Sequence, residues 1–412
     1  MSKNERYVVG LDIGTTKICC VVATVKDDGA VEVAGIGCTP SRGIRKGVVV
    51  NLDATVEAIK SSVEDAELTA GVNVESATLG VAGSHMRSFN SRGVVTVSGK
   101  DRTVTKDDVR RVMDAARAVS IPPEREILHV LSQEFVLDEQ GGITSPTGMN
   151  GSRLEANVHI VTAATTSIQN MVTCANRAGV EVRDLVLEQV AISDGVLTQD
   201  ERDLGVALID IGGGTSDLVI FERGSVWHTA ALPVGGDHFT NDLAVGLRTP
   251  IPDAERLKKK HGCALSSMVE EDEGIEVPTV GNRKPRLLSR QVMAEILEPR
   301  AEEIFQLLHE EIVRAGFKKS LNAGVVLTGG GSLLPGTAEV AEQVFDMPVR
   351  RGVPRHVGGL VDTADPQATT AIGLAIYGAR NRSARQRPAT RQDAGIFLRM
   401  GDRVRHWFSG MF

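Results

Sequence analysis

Two stretches of this 412-residue chain say nearly the same thing. Val9-Gly-Leu-Asp12-Ile-Gly14-Thr15-Thr16-Lys17 is an apolar run, an aspartate and a Gly/Thr turn. Ala207-Leu-Ile-Asp210-Ile-Gly212-Gly213-Gly214-Thr215-Ser-Asp217 repeats the pattern. With the aspartates at positions 12 and 210, the repeating unit is a whole domain, not a short solenoid module. A third apolar run, Val325-Val-Leu-Thr328, ends in Gly329-Gly330-Gly331. A duplicated fold with three such turns predicts a phosphate site in a cleft between two related halves.

The chemistry follows from the residue types. A hairpin turn of Gly and Thr offers backbone N–H groups and hydroxyls to phosphate oxygens. Glycine lets the backbone approach the anion without a Cβ in the way. An aspartate at the strand end cannot bind phosphate itself. It suits a Mg²⁺ ion held through water, because Mg²⁺ gives up its hydration shell reluctantly. Asp12 and Asp210 are therefore expected to face each other across that ion.

Composition narrows the class. Hydrophobic residues make up 42% and charged residues 24%, ordinary for a globular protein of several domains. The net charge of −7 disfavours nucleic acid as a partner. Cys19, Cys20, Cys38, Cys174 and Cys263 form no metal-ligand spacing and read as buried thiols of a reducing compartment. The opening Met-Ser-Lys-Asn-Glu-Arg shows no signal-peptide core, and no apolar run is long enough for a membrane-spanning helix.

Periodicity organises the rest. Tyr7–Asp12, Ile18–Val25 and Val31–Cys38 alternate as strands. Asp53 is expected to cap a helix to Leu68, with Ala58, Ile59, Val63 and Ala66 on its apolar face. From Met86 to His159 the pattern changes to that of a compact α/β insertion. The second half repeats the strand order, adds helices from Gly235 and Asp253, and carries one long helix over Ser289–Arg314.

The end of the chain differs from its body. From Asn381 on there are seven arginines against Asp393 and Asp402. Placed on a helix of 3.6 residues per turn, Ile396, Phe397, Met400, Val404, Trp407, Phe408, Met411 and Phe412 fall within roughly 160° of arc. Arg403 and its neighbours fill the other side, and only Leu398 is misplaced. Four aromatics cluster here in a chain with Phe 10, Trp 2 and Tyr 2. The pattern predicts an amphipathic helix on an anionic membrane surface, tethered by a flexible linker.

These motifs resemble the actin, Hsp70 and sugar-kinase superfamily of ATP-binding proteins. Asp12–Lys17 matches its first phosphate motif, Asp210–Asp217 its second and Gly329–Gly331 its adenosine motif. Gln189–Gly195 and Thr370–Ala375 match its two connecting helices. Within the superfamily, Pro40-Ser-Arg-Gly43, Gly80-Val-Ala-Gly-Ser-His85, Gly148-Met-Asn-Gly-Ser-Arg153 and Pro285-Arg-Leu-Leu-Ser-Arg-Gln291 resemble the bacterial FtsA family. The resemblance runs from about Tyr7 to the end.

That resemblance implies an α/β, actin-like duplicated fold: two large domains, each a central mixed five-stranded sheet with an inserted subdomain, around a nucleotide cleft. The expected divisions are 1–85 with 160–200 and 362–380 for the first large subdomain and 86–159 for its insertion. They are 201–235 with 301–361 for the second and 236–300 for its insertion, then a linker over 381–394 and the membrane helix over 395–412. Gly235, Gly236, Glu255 and Lys258 would line the adenosine, the last two reaching the ribose or else forming a surface ion pair. Gln189 would orient an attacking water, or be a plain exposed helix glutamine.

The family further implies an ATP-binding protein, with at most slow hydrolysis, at the cytoplasmic face of the inner membrane at the division site. Implied partners are the FtsZ C-terminal peptide near Arg286, Arg290 and Arg300, further copies in an actin-like filament, and later division proteins through the inserted subdomain. Two other readings stay open. One is a type IV pilus assembly ATP-binding protein of the same fold; the other is a sugar kinase or ATPase of the superfamily.

Overall fold

The structure is a computed structural model. It describes residues 7–26, 29–99, 101–270, 273–281, 284–355, 357–359 and 366–386. The residues expected to meet a membrane, Ile396, Phe397, Met400, Arg403, Val404, Trp407, Phe408, Met411 and Phe412, lie outside these, as does the expected linker from residue 387.

The chain opens with β1 (Tyr7–Ile13), β2 (Lys17–Val25) and β3 (Val31–Pro40), an antiparallel meander with Asp12 opposite Cys19. After the small hairpin β4 (Ile44–Arg45) and β5 (Val48–Val49) comes α1 (Leu52–Ala70), which buries Ala58, Ile59, Val63 and Ala66. Its N-cap is Asn51, whose side chain accepts from the Ala54 amide, and not Asp53. An Asx side chain caps best from just outside the first turn; Asp53, already inside, pairs with Arg177 at 2.7 Å. Strand β6 (Ser76–Val81) follows.

The insertion comprises β7 (Arg87–Thr96), α2 (Lys106–Arg117), β8 (Arg125–Leu137), β9 (Gln140–Ile143) and most of β10 (Arg153–Ala164). Its sheet has the order β7-β10-β8-β9 and its own buried core around Val112, Leu154 and Ile160. Strand β10 runs unbroken across position 159, so no chain break marks that edge of the insertion. Helix α3 (Thr165–Arg177) and β11 (Glu181–Leu187) return to the first half, and α4 (Glu188–Val196) and α5 (Gln199–Leu204) lead out of it.

The second half begins with β12 (Val206–Ile211), β13 (Ser216–Glu222) and β14 (Ser225–Leu232), a second meander with Asp210 opposite Asp217. Then come α6 (Gly236–Gly246), α7 (Ile251–His261), the hairpin β15 (Gly274–Val277) and β16 (Arg286–Ser289), and α8 (Arg290–Arg314), capped by Ser289. Strand β17 (Val325–Thr328), α9 (Thr337–Phe345) and β18 (Val349–Arg351) complete this half; β19 (Val357–Gly359) and α10 (Thr369–Gln386) recross to the first.

The two central sheets have the orders β11-β6-β1-β2-β3-β19 and β14-β13-β12-β17-β18. The second is five-stranded as expected. The first has six, because Val357–Gly359 pairs parallel with β3 and so joins the first half's sheet. Helix α10 continues to Gln386 through the first residues of the expected linker, held by Arg382 on the Tyr7 carbonyl at 2.9 Å and Arg380 on Asp194 at 2.6 Å. Cys20, Cys174 and Cys263 are buried thiols, but Cys19 and Cys38, directly opposite across β2 and β3, are joined as a disulfide. Among the described residues no helix is long and apolar enough to cross a membrane.

Helices α4 and α10 cross between the halves and pack on each other closely. A Cβ at Gly373 would lie 2.5 Å from the Ala191 carbonyl oxygen, a separation only glycine permits. The small-residue run at the start of α10 is what lets the crossovers nest beneath the cleft.

Candidate functional site

The strand ends place the turns. In the first, the Gly14 amide donates to the Lys17 carbonyl at 3.0 Å; in the second, the Gly212 amide donates to the Thr215 carbonyl at 2.9 Å. The same i to i+3 closure and the same register show that the duplication extends to backbone geometry. The turns also meet. A Cβ at Gly213 would stand 2.2 Å from Thr16 Cγ2, and one at Gly214 would stand 2.9 Å from Thr15 Oγ1. Thr15 also accepts from the Gly47 amide at 3.1 Å.

The glycines of the third turn close on the second aspartate. Gly329 has φ +81, and a Cβ there would lie 2.1 Å from Asp210 Oδ1; one at Gly331 would lie 2.3 Å from Ile211 Cγ2. Gly330 follows in a short helical turn. Gly235 and Gly236 sit on the second turn: the Gly236 amide donates to the Gly212 carbonyl at 2.9 Å and the Asp237 amide to the Gly213 carbonyl at 2.8 Å. Glu255 and Lys258 do form an ion pair, at 2.7 Å, but Lys258 points inward. Its Nζ donates to the Gly236 carbonyl at 2.9 Å and to Thr240 Oγ1 at 2.8 Å.

Three buried carboxyls, Asp12, Asp210 and Asp217, and the half-buried Glu188 gather at the cleft floor. Burial pushes Asp12 from 3.8 up to about 6, with Lys17 pulling the other way. Asp210 rises to about 7 through burial and the like charges of Asp217 and Asp12. Asp217 also rises to about 7 through burial, opposed by the Thr215 hydroxyl, the Gly83 amide and the Gln189 side chain. Glu188 is pushed well above the carboxylate range by burial and then by Asp12, Asp217 and Asp210. Carboxyls held this far above the ordinary range resist ionising together, and a cation among them would ease their ionisation.

The donor chemistry fits a hydrated Mg²⁺. Among the described residues no three His, Cys, Asp or Glu side chains converge tightly enough to hold a metal directly. Asp12 and Asp210 would accept from its water shell. Two buried atoms, Gln189 Oε1 and Thr328 Oγ1, lack a hydrogen-bond partner and stand at the ends of the elements that line the cleft. Gln189 is only 2% exposed, so it is not a surface helix residue.

Glu188 and Asp217 are the residues that sequence reading left unassigned. Asp217 closes the second motif, and its equivalent position in the first is Cys19. Glu188 is signalled only by an acid directly after the buried end of a strand, where Asp12 by contrast lies inside its strand. Gly80 makes room for it: a Cβ there would lie 2.8 Å from Glu188 Cγ.

The three arginines of the second insertion are already partnered. Arg300 forks onto Asp242, with Nη2 to Oδ1 at 3.1 Å. Arg290 donates to the His261 carbonyl at 2.7 Å and to Glu273 at 2.6 Å. Arg286 donates to the Leu247 carbonyl.

Two meanders facing each other, crossed beneath by small-residue helices, define an actin-like fold. Solved structures share it. The PilM–PilN type IV pilus biogenesis complex aligns with TM-score 0.66 and 16% identity, covering 90% of this chain and 98% of that one. MreB5 of Spiroplasma citri bound to ADP aligns with TM-score 0.51 and 15% identity, covering 92% and 97%. At these identities the likeness shows the fold alone.

The sequence comparisons are narrower. A family model described as Cell division protein FtsA matches residues 207–373, and one described as SHS2 domain inserted in FTSA matches residues 83–162. The Cell division protein FtsA of Pseudomonas aeruginosa is 49% identical over 382 residues, covering 92% of this chain and 91% of its own. That of Escherichia coli K12 is 42% identical over 383 residues, covering 91% of each. That of Bacillus subtilis is 38% identical over 381 residues, covering 92% and 85%. The chain belongs to the FtsA family of cell-division proteins.

Proposed function

We propose that this chain binds ATP with Mg²⁺ between its halves and polymerises as an actin-like filament on the cytoplasmic face of the cell membrane. There it anchors FtsZ filaments and recruits later division proteins through the inserted subdomain. The observation that carries the nucleotide reading is the meeting of Thr15 and Thr16 with Gly214 and Gly213. Turns from different halves converge on one point, where amides and hydroxyls of both can hold the same phosphate chain. The carboxyls behind them, raised first by burial and at Asp210 also by its neighbours' charge, would supply the acceptors for Mg²⁺ water.

Nucleotide is the clamp of this assembly, with turnover slow. Gln189, buried against Asp217, and Glu188 beside it are the groups able to orient a water. Labelled ATP titrated with and without Mg²⁺ tests the reading; saturable, Mg²⁺-dependent binding supports it, and none refutes it. Unaided turnover at tens per second would overturn the switch.

The membrane reading rests on the 395–412 pattern. Replacing Trp407 and Phe408 by Glu should abolish co-sedimentation with anionic vesicles, and unchanged sedimentation would refute the anchor. The peptide reading rests on Arg286, Arg290 and Arg300 and on exposed Val245 and Leu287 near them. Peptide carboxylates would have to exchange with Asp242 and Glu273 on these forks. Binding of the FtsZ C-terminal peptide unaltered in Arg286→Ala/Arg300→Ala would place its site elsewhere.

A further inference from the structure

The chain crosses between its halves at α4 and α10, but a third junction joins them without a crossover. The insertion springs from the first half, between β6 and α3, yet its sheet lies against β14, the edge strand of the second half's sheet. Side chains of the insertion reach the β14 backbone directly. Ser88 Oγ donates to the Thr229 carbonyl at 2.8 Å. Gln133 Nε2 reaches the Val226 and Trp227 carbonyls, each at 3.3 Å.

The rest of the seam is a closed neutral network. His159 contacts Asn90 Oδ1 through Nδ1 at 2.7 Å and Thr229 Oγ1 through Nε2 at 2.9 Å. The amide oxygen of Asn90 can only accept, so Nδ1 of His159 carries the proton. Gln133 adds a further bond to Asn90 at 3.2 Å. Gln133, His159 and Thr229 are all buried. The strand is anchored from its own side as well: Trp227 donates to the Glu222 carbonyl at 2.9 Å and stacks edge-on against Phe317, and His228 contacts Glu311 at 2.9 Å. Leu131 of the insertion packs on the second half's core beside Val226.

Buried polar networks of this kind are costly when half broken, because each severed partner is left unsatisfied away from water. The seam therefore has two cheap states, whole or fully parted, and resists gradual shear. We infer that this seam is a mechanical tether: the width of the cleft and the placement of the inserted subdomain are set by one equilibrium, not two. The two halves cannot rotate about α4 and α10 without carrying or releasing the insertion.

The test uses the full chain with spin labels and no nucleotide, so it stands apart from the ATP reading. One pair, at Leu68→Cys on α1 and Val245→Cys on α6, spans the two halves; both positions are exposed. A second pair, at Asp114→Cys on α2 and Val245→Cys, spans the insertion and the second half. The remaining free thiols are buried and resist labelling. The shape-preserving variant Thr229→Val/Gln133→Leu removes seam bonds, and Ser88→Ala alone serves if the double variant does not fold. Both distance distributions should broaden together, by about twofold. If only the insertion pair broadens, or if neither does, the tether is overturned.

Discussion

The first and second turns share a backbone and differ in every side chain that matters. Both close with an i to i+3 bond, and both set an aspartate opposite the seventh residue on. Where the first has Thr15 and Thr16, the second has Gly213 and Gly214; where the first has Lys17 and Cys19, the second has Thr215 and Asp217. Bulk faces absence, and a cation enters from one side while an anion enters from the other. A symmetric pair of threonine turns could not approach this closely. Duplication supplied two equivalent loops, and divergence made them complementary.

The sharpest way to break that complementarity is to restore bulk on the bare side. Gly213→Val drives its side chain into Thr16 and should weaken nucleotide binding at least about 100-fold while secondary structure by circular dichroism is kept. Adding Thr16→Ser, which removes the clashing methyl and keeps the hydroxyl, should recover part of the loss. Failure of that rescue would mean the contact between the turns does not set the ligand site.

Next in size is the pair of aspartates. Asp12→Asn and Asp210→Asn should each cost about tenfold or more in Mg²⁺-dependent ATP affinity, by titration. Their effects on the unliganded protein should differ. Lys17 relieves both, but Asp210 is also opposed by the charges of Asp217 and Asp12, whereas burial alone raises Asp12. Asp210→Asn should therefore raise the melting temperature by a few degrees, about 1 kcal/mol, and Asp12→Asn by less.

The same carboxyls set a pH dependence. Their folded values lie above the unfolded 3.8, so their contribution to stability is intact below that value and is lost as pH rises through about 6 to 7. A cation that must displace their protons binds better as pH rises through the same window. The melting shift produced by Mg²⁺ and ATP should grow from pH 5 to pH 8, and Asp210→Asn should flatten the growth. His159, held down to about 3 by burial and then by His228, works in the opposite sense. Its contribution is complete above 6.5 and is lost as pH falls toward 3, a window it shares with His85, His129 and Asp12, so the seam's share is read as the difference from a His159→Gln variant.

Strands and turns are legible because alternation, Gly and Thr are local signals. Asn51 in place of Asp53 is a shift of two positions at a helix start, where both residue types cap well. The sixth strand, Val357–Gly359, escaped because three residues carry no period and its partner lies far back in the chain. Glu188 and the seam around His159 depend on what packs against them. A polar residue in an apolar strand does not say whether it meets water or a partner. The partners of the arginines are not legible in the sequence, because ion pairs such as Arg300 with Asp242 join positions that no helical spacing relates.

The smallest test bears on Thr15, whose hydroxyl ties the first turn to a neighbouring loop. Thr15 Oγ1 accepts from the Gly47 amide, and that bond ties the first turn to the loop behind it. Thr15→Val keeps the branched shape that packs on Gly214 and removes the acceptor. The amide of Gly47 is then left without its partner, at a cost of about 1 kcal/mol. Thr15→Ser keeps the acceptor and loses only the methyl. If packing against the bare second turn is what fixes the first, Ser should be the worse of the two for nucleotide affinity. If the hydroxyl fixes it, Val should be worse by about fivefold. Thr15 has only glycine as its counterpart in the second half, so the order of these two variants tells whether bulk or hydrogen bonding made the turns unlike.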